Sequence, residues 1–485
     1  MRSKRIFALV LSVLTLLPAL SGCGETAEPE EPRTIALEDG TRTIGYYSDG
    51  ELLQNIPDME TEGFYGSVLE CNNSCHMATY NSTTLEEYEK YIALLERQGY
   101  TLAADNGPNG IHQDVYYTAL QKDETTIHLV YQALPGRTYV IVGDKEQLSP
   151  HLTDSDSYRA GIRDDIKTSL TLLDPSCGSA LAMILQLRNG HFICIDSGEP
   201  EEASLILKYL QEMAPAGEKP VVEAWFLTHG HNDHYGGLKA FSNSQQMCDA
   251  IAVNGIYFNK PNNEHMTKEN SESVALTVVD YLCTLMMKDE NGQPTRLYRP
   301  VMGQRYYFCD VTIEITNSTE FVPYFNSTTD FNETSTTFII NVEGQKVQIM
   351  GDAETGCQYN MMNSFRSDYF ALDIYQVSHH GWNTLSVFVD YVAYIKTCMD
   401  PSHMLVDAVC EDGATPYLME HSEEFLYQGR GRGTMRATFP YEVGSMEFLG
   451  YEFLSYPNWK VICAPMNYGR VMEVGPEMGG EVPNE

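Results

Sequence analysis

The chain reads as an α/β protein in two bodies: a layered α/β sandwich, preceded by a small α+β domain. Three observations predict this. In the second half, residues of metal-ligand type follow three apolar strand-like runs, which is where layered sheets build their sites. A capped amphipathic helix and three strand-like runs fill residues 84–143. A polar, turn-rich stretch around Pro150 lies between the two.

With 485 residues, 43% of them hydrophobic and 20% charged, the chain has the size and balance of a globular protein of two or three domains. The net charge of −36 argues against tight binding to a nucleic-acid backbone, which needs a clustered positive surface. Arg2, Lys4 and Arg5 precede an apolar run from Ile6 to Leu20, so residues 1–22 read as a secretory signal peptide. Leu20-Ser21-Gly22-Cys23 resembles a bacterial lipobox. That resemblance implies lipidation of Cys23 and attachment to the outer side of the cell membrane; the alternative is plain cleavage with Cys23 incidental. Residues 23–45, opening with the acidic "GETAEPEEPRT", read as a flexible tether.

Twelve cysteines are present. Cys71 and Cys75 in "CNNSC" are close enough to pair, and export permits it. The others read as small buried hydrophobes, and no CxxC points to a thiolate zinc site.

The first body spans 46–150. In "TTLEEYEKYIALLERQGY", Thr84 caps a helix with Glu87 as its reciprocal partner. Leu85, Tyr88, Ile92 and Leu95 form the apolar stripe, and Gly99 suits the stop. The runs "DVYYTAL", "TIHLVYQ" and "RTYVIVG" follow as a meander. His76, His112 and His128 share no ligand spacing and read as ordinary structural or surface histidines. This body has no ligand cluster, so its role is read as binding (cell wall, a partner, or the second body) rather than catalysis.

The second body spans 165–470, with a polar tail at 471–485. A hairpin turns at Asn189-Gly190, a helix follows in "EEASLILKYLQEM", and the strand "VVEAWFL" runs into "LTHGHNDHYGG" (Leu227 to Gly237). A second hairpin turns at Glu343-Gly344 and ends in Asp352. The strand in "LDIYQVSHHG" ends in His379 and His380. His229 and His231, two apart in a turn, can aim both imidazoles at one ion, while Asp233 and His234 face a neighbouring point. Gly236 and Gly237 allow close packing as the next helix begins. This N/O ligand set fits zinc, with manganese or iron as alternatives.

The pattern His229-x-His231-x-Asp233-His234, with "ICIDSG", "IMGDAE" and "VSHHG" in that order, resembles the metallo-β-lactamase-fold hydrolase superfamily. The resemblance implies an αββα sandwich with two zinc ions at one edge. It implies that Asp196 buttresses the metal loop, that Asp352 bridges the ions, and that His379 or His380 is the last ligand. The third histidine of the first ion is not obvious. Only His265 lies in the right interval, and Asn332 or a water are the alternatives. By the same resemblance Asp233, Asp352 and the two late histidines carry the hydrolysis, the spare histidine protonating the leaving group.

Within the superfamily, Asn332-x-x-Ser335, "GDAE" and "HHG" look most like the DNA-uptake competence nucleases and the phosphorylcholine esterases. A phosphodiester or related ester is the implied substrate, with Asn332, Trp382 and Asn383 lining its pocket. Trp382 would stack on a base or hold a choline cation; otherwise it is a packing residue. The net charge favours a small or headgroup-type ester over nucleic acid. Rival readings are a non-catalytic surface binding protein on the same scaffold, a nuclease, and a true β-lactamase. Oligomeric state is not legible.

Overall fold

The computed structural model describes residues 34–36, 43–45, 51–72, 75–110, 112–174, 180–259, 271–321, 331–381, 386–400, 418, 421–427 and 434–449. Cys23, His265, Trp382 and Asn383 lie outside these residues.

Two large sheets face each other. The first runs, edge to edge, through strands 296–298, 255–258, 221–227, 192–196, 182–186, 169–172, 434–438 and 447–449. The second runs through 305–308, 311–317, 337–342, 345–349, 371–376, 394–400 and 422–427. Alternation decides what each face meets. Ile193, Ile195 and Phe226 point into the core between the sheets, against Phe338, Ile340 and Ile374. Phe192, Cys194 and Trp225 point the other way, onto the helices Glu202–Met213 and Asn232–Ser242 through Ile206, Leu210, Leu238 and Phe241. The helix Thr355–Ser364 covers the second sheet with Cys357 and Met361. The layers are αββα. Both hairpins turn where the sequence has Asn-Gly and Glu-Gly; Glu343 and Gly344 both take positive φ.

The N-terminal part is a six-stranded antiparallel sheet with strand order 64–72, 75–81, 137–144, 125–132, 115–122, 101–109. Its helix spans Leu85–Arg97, and Thr84 and Glu87 form a complete capping box. One sheet face packs on that helix through Ile127, Leu129 and Val140. The other face, with Val115, Tyr117, Val130 and Ile141, belongs to the same core as the sandwich. The two bodies are therefore welded. Gln304 donates to Tyr117 Oη at 2.8 Å, Gln132 donates to Ser364 Oγ at 3.0 Å, and Arg366 pairs with buried Asp114. The connector is packed as well: His151 sits between Tyr158 and Phe308, tilted against both, with ring centroids at 4.5 and 4.3 Å.

Two expectations need correction. Cys75 is a free, buried thiol rather than half of a bridge to Cys71; its Sγ accepts from Arg299 at 2.9 Å. Strand pairing sets this apart, since Cys75 sits opposite Asn72 in a ladder whose register shifts beside it. The far end of the expected tether also has structure: Thr34–Ala36 pairs antiparallel with Thr43–Gly45. Among the described residues no helix is long and apolar enough to cross a membrane.

Candidate metal centre

Four chain segments meet at one edge of the sandwich, each leaving the end of a strand. Strand 192–196 ends in Asp196, strand 221–227 runs into Thr228 and His229, strand 345–349 into Asp352, and strand 371–376 into His379 and His380. Asp196 is 1% exposed, with φ of +52°. Its Oδ1 accepts from Thr228 N and its Oδ2 from Thr228 Oγ1, both at 2.7 Å. Oδ2 also lies 2.8 Å from His234 Nδ1, which fixes the His234 proton on Nδ1 and turns Nε2 inward. Thr228 Oγ1 spends its one proton on Asp196. At 3.1 Å from His229 Nδ1 it therefore accepts, which leaves the His229 Nε2 lone pair unprotonated.

Close backbone approach makes this possible. A Cβ on Gly237 would fall 2.2 Å from Ser197 O, and one on Gly351 would fall 2.7 Å from Thr228 Cβ. Only glycine lets the helix Asn232–Ser242 and the Asp352 turn come that near.

The inward atoms form two groups that share Asp352. His229, His231 and Asp352 make the first; Asp233, His234, Asp352 and His380 make the second. His229 Nε2 lies 3.0 Å from His231 Nδ1 and 3.8 Å from Asp352 Oδ2. His234 Nε2 lies 3.1 Å from Asp352 Oδ1, and His380 Nε2 lies 3.6 Å from that oxygen and 3.4 Å from Asp233 Oδ2. Ligands of one tetrahedral zinc stand roughly 3.3 Å apart, given bonds of about 2.0–2.1 Å. His234 Nε2, Asp352 Oδ1 and His380 Nε2 are buried and hydrogen-bonded to nothing. Such atoms cost about 1–3 kcal/mol each unless something satisfies them. Divalent cations fit both groups.

The electrostatics agree. Burial, reinforced by the His234 charge, pushes His229 well below the usual histidine range and keeps it neutral. Burial opposes a charge on His234, but Asp352, Asp196 and Asp233 hold it well above that range. Burial likewise works against ionised Asp352, and His234 and His380 outweigh it, so its carboxylate stays charged. This is a nest of negative charge neutralised by a proton, and a bound cation would displace that proton.

The late histidine pair divides. Both residues are left-handed, with φ of +49° and +51°, and His379 N bonds Gly351 O at 3.0 Å. The turn sends His380 into the second group and His379 to the rim. There His379 Nδ1 meets Glu354 Oε1 at 3.0 Å and Nε2 meets Asn332 Nδ2 at 3.2 Å, while Asp352 is 4.0 Å away. Glu354 and Thr228 were not singled out in the sequence. Glu354 stands in the quoted "GDAE", and Thr228 immediately precedes the first ligand, so position beside a motif was the only signal.

Residues 175–298 match the Metallo-beta-lactamase superfamily by sequence profile. Among solved structures, zinc-bound PqqB from Methylobacterium extorquens is 12% identical over 43% of this chain and 72% of its own, with a TM-score of 0.30. A subclass B3 metallo-β-lactamase of Bradyrhizobium japonicum is 13% identical over 40% of this chain and 70% of its own, with a TM-score of 0.25. A metallo-β-lactamase mutant of Cronobacter sakazakii is 13% identical over 35% of this chain, which spans 55% of that protein's length, with a TM-score of 0.23. No curated protein matches the sequence.

Proposed function

We propose that the chain is a dinuclear metal-dependent hydrolase of a phosphodiester or related ester, held by a lipid on Cys23 at the outer face of the cell membrane. The fold is that of the metallo-β-lactamase superfamily, whose members are mostly hydrolases. One observation carries the reading: two buried ligand groups share a single carboxylate, Asp352.

His229, His231 and Asp352 would hold one zinc ion, and Asp233, His234, Asp352 and His380 the other. Bound there, the pair would polarise the ester oxygen and make hydroxide available near neutral pH. Asp196 and Thr228 hold His234 and His229 in the tautomers that ligation needs. Asp233, one-quarter exposed at its side chain, stands where it can orient an attacking water. His379, oriented by Glu354 and in contact with Asn332, stands at the rim where a leaving group departs and can give it a proton.

The test is metal content together with turnover of bis-p-nitrophenyl phosphate. Protein purified without chelator should carry about two zinc per chain and turn the ester over. Protein that stays metal-free and inactive when resupplied with zinc and manganese would sink the reading in favour of a binding scaffold. Nitrocefin hydrolysis exceeding that of the phosphodiester would favour a β-lactamase.

A further inference from the structure

A cavity of about 480 Å³ opens at the opposite end of the first sheet from the metal centre. Strands 192–196, 221–227, 255–258 and 296–298 run parallel. The metal-loop residues leave their C-terminal ends. The cavity is lined by Asn189 and His191, just before the first of these strands, by Glu223 near the start of the second, by Asn254 before the third and by Arg296 opening the fourth. The connector closes the other side with His151 and Tyr158. At roughly 3.3 Å per strand residue, some 15 Å separates the two ends, so this is a different site. Its volume lies within the usual range for small-molecule pockets, about 300–1,000 Å³.

The lining is aromatic and acidic. Tyr158, Tyr257, Tyr298 and Phe308 supply rings, while three carboxylates, Glu223, Asp289 and Glu290, outnumber two cations, Arg296 and His191; burial opposes a charge on His191, but Glu223 holds it above the usual histidine range. Arg296 is engaged with Gln147 at 3.1 Å. Glu223 is anchored from two sides: His191 bonds Oε1, and Asn254 donates to Oε2 at 2.7 Å. Burial alone would raise the Glu223 pKa, but the hydrogen bond and charge of His191 bring it below the usual value, so the carboxylate is held ionised. The second histidine, His151, has its Nδ1 engaged by Tyr307 O at 2.9 Å and is kept neutral by burial. A fixed, ionised carboxylate beside aromatic faces receives a cation with an apolar body and repels an anion.

We propose that this cavity is a second binding site, separate from the metal centre, for a small organic cation: a protonated amine carrying a ring or short alkyl body. The ammonium sits against Glu223, and its body packs on Tyr298 and Phe308. The assignment is independent of the hydrolytic reading.

The experiment is calorimetric titration of the metal-loaded full chain with benzylamine at pH 7, with benzyl alcohol and benzoate as neutral and anionic partners of the same shape. Saturable benzylammonium binding below roughly 10 mM is expected, at least tenfold tighter than either control. Glu223→Gln should weaken it tenfold or more. Because that change also disturbs His191 and Asn254, Ala160→Trp is the second variant; Ala160 is an exposed lining residue whose enlargement blocks the cavity with no core cost, and it too should weaken binding tenfold or more. Asp352→Ala, which destroys the metal centre, should leave binding intact. The proposal is overturned by benzoate binding as tightly as benzylammonium, by no saturation, by Ala160→Trp binding like the parent, or by loss of binding in Asp352→Ala.

Discussion

Asp196 Oδ2 and His234 Nδ1 lie 2.8 Å apart, both side chains wholly buried, and this single contact decides which nitrogen of His234 faces the metal centre. An amide in place of the carboxylate loses the charge that favours Nδ1–H. Asp196→Asn should weaken zinc binding about 10–100-fold, the usual effect of losing such a supporting carboxylate. Competition against a chromogenic chelator measures it; unchanged affinity would show that His234 is oriented by something else.

Asp352 is the residue both ligand groups share. Asp352→Ala should therefore remove metal as well as rate. Expected are less than one zinc per chain by elemental analysis and near-complete loss of phosphodiester turnover. A variant holding both ions with normal activity contradicts the shared-carboxylate arrangement.

His379 and His380 separate the ligand role from the rim role. Asparagine tolerates their left-handed backbone, so His→Asn variants test the side chains without adding strain. His380→Asn should lose about one metal of the pair. His379→Asn should keep both and lower kcat about 10²–10⁴-fold, the range for removing a general acid. Metal loss in His379→Asn with full retention in His380→Asn would invert the assignment.

Much of this centre was legible because it is local. His229, His231, Asp233 and His234 lie within six positions, and a strand ending there orients them whatever the rest of the chain does. The split between His379 and His380 was not legible, since it depends on two consecutive left-handed residues held by Gly351 O. The N-terminal sheet was half legible. Its three late strands and capped helix show in the pattern, but the strands Phe64–Asn72, Cys75–Asn81 and Thr101–Asn109 do not, the last of them carrying the glycine and proline of "NGPN". Pro108 is tolerated there because the strand is an edge, where a missing N–H is harmless, and two register shifts absorb the irregularity. That the sheet's second face joins the sandwich core is long-range packing, which periodicity does not encode.

Arg299 adds an ionic clamp to that packing. Its guanidinium bonds Glu146 at 2.7 Å and Glu320 at 2.6 Å, clamping the N-terminal sheet to the sandwich. Removing the cation strands two buried carboxylates, so Arg299→Ala should destabilise by about 3–5 kcal/mol. Burial would raise the Glu146 pKa, but Arg299 and His128 outweigh it and hold it well below the unfolded value of 4.5. A depressed carboxylate contributes stability above the unfolded pKa and loses it as pH falls through the folded one. Denaturation midpoints of the parent should decline from pH 5 downward as this contribution is lost, and Arg299→Ala should show a shallower decline. Parallel curves would remove Glu146 from the account. Deleting residues 46–148 should give an insoluble or unfolded remainder rather than a smaller active enzyme, because it bares the face carrying Val301 and Met302.

The last prediction concerns substrate size. The resemblance to competence nucleases points to DNA, and the net charge of −36 points away. Binding DNA at physiological salt draws much of its free energy from phosphate contacts, each releasing counterions. With 31 Lys and Arg against 67 Asp and Glu, only a concentrated basic patch could supply them. The one run of arginines in the second body is Arg430, Arg432 and Arg436. Of these, Arg430 and Arg432 lie outside the described residues, and Arg436, on an internal strand of the first sheet, is committed to that sheet, donating to Thr171 Oγ1 at 3.0 Å. Among the described residues, the rim of the metal centre carries Glu354 and Glu199 rather than lysine or arginine, and Glu199 neighbours Asp233 closely enough for the two charges to repel. Those carboxylates repel a polyanion along its whole length but meet a small ester only once, and they favour one with a cationic headgroup. A phosphorylcholine ester should therefore exceed a short single-stranded oligonucleotide in kcat/KM at equal salt and metal. The margin should widen as salt is lowered, since the repulsion is then less screened. If the oligonucleotide wins by about tenfold or more, equivalent to about 1.4 kcal/mol of transition-state preference, the charge argument has failed and the nuclease resemblance is the better guide.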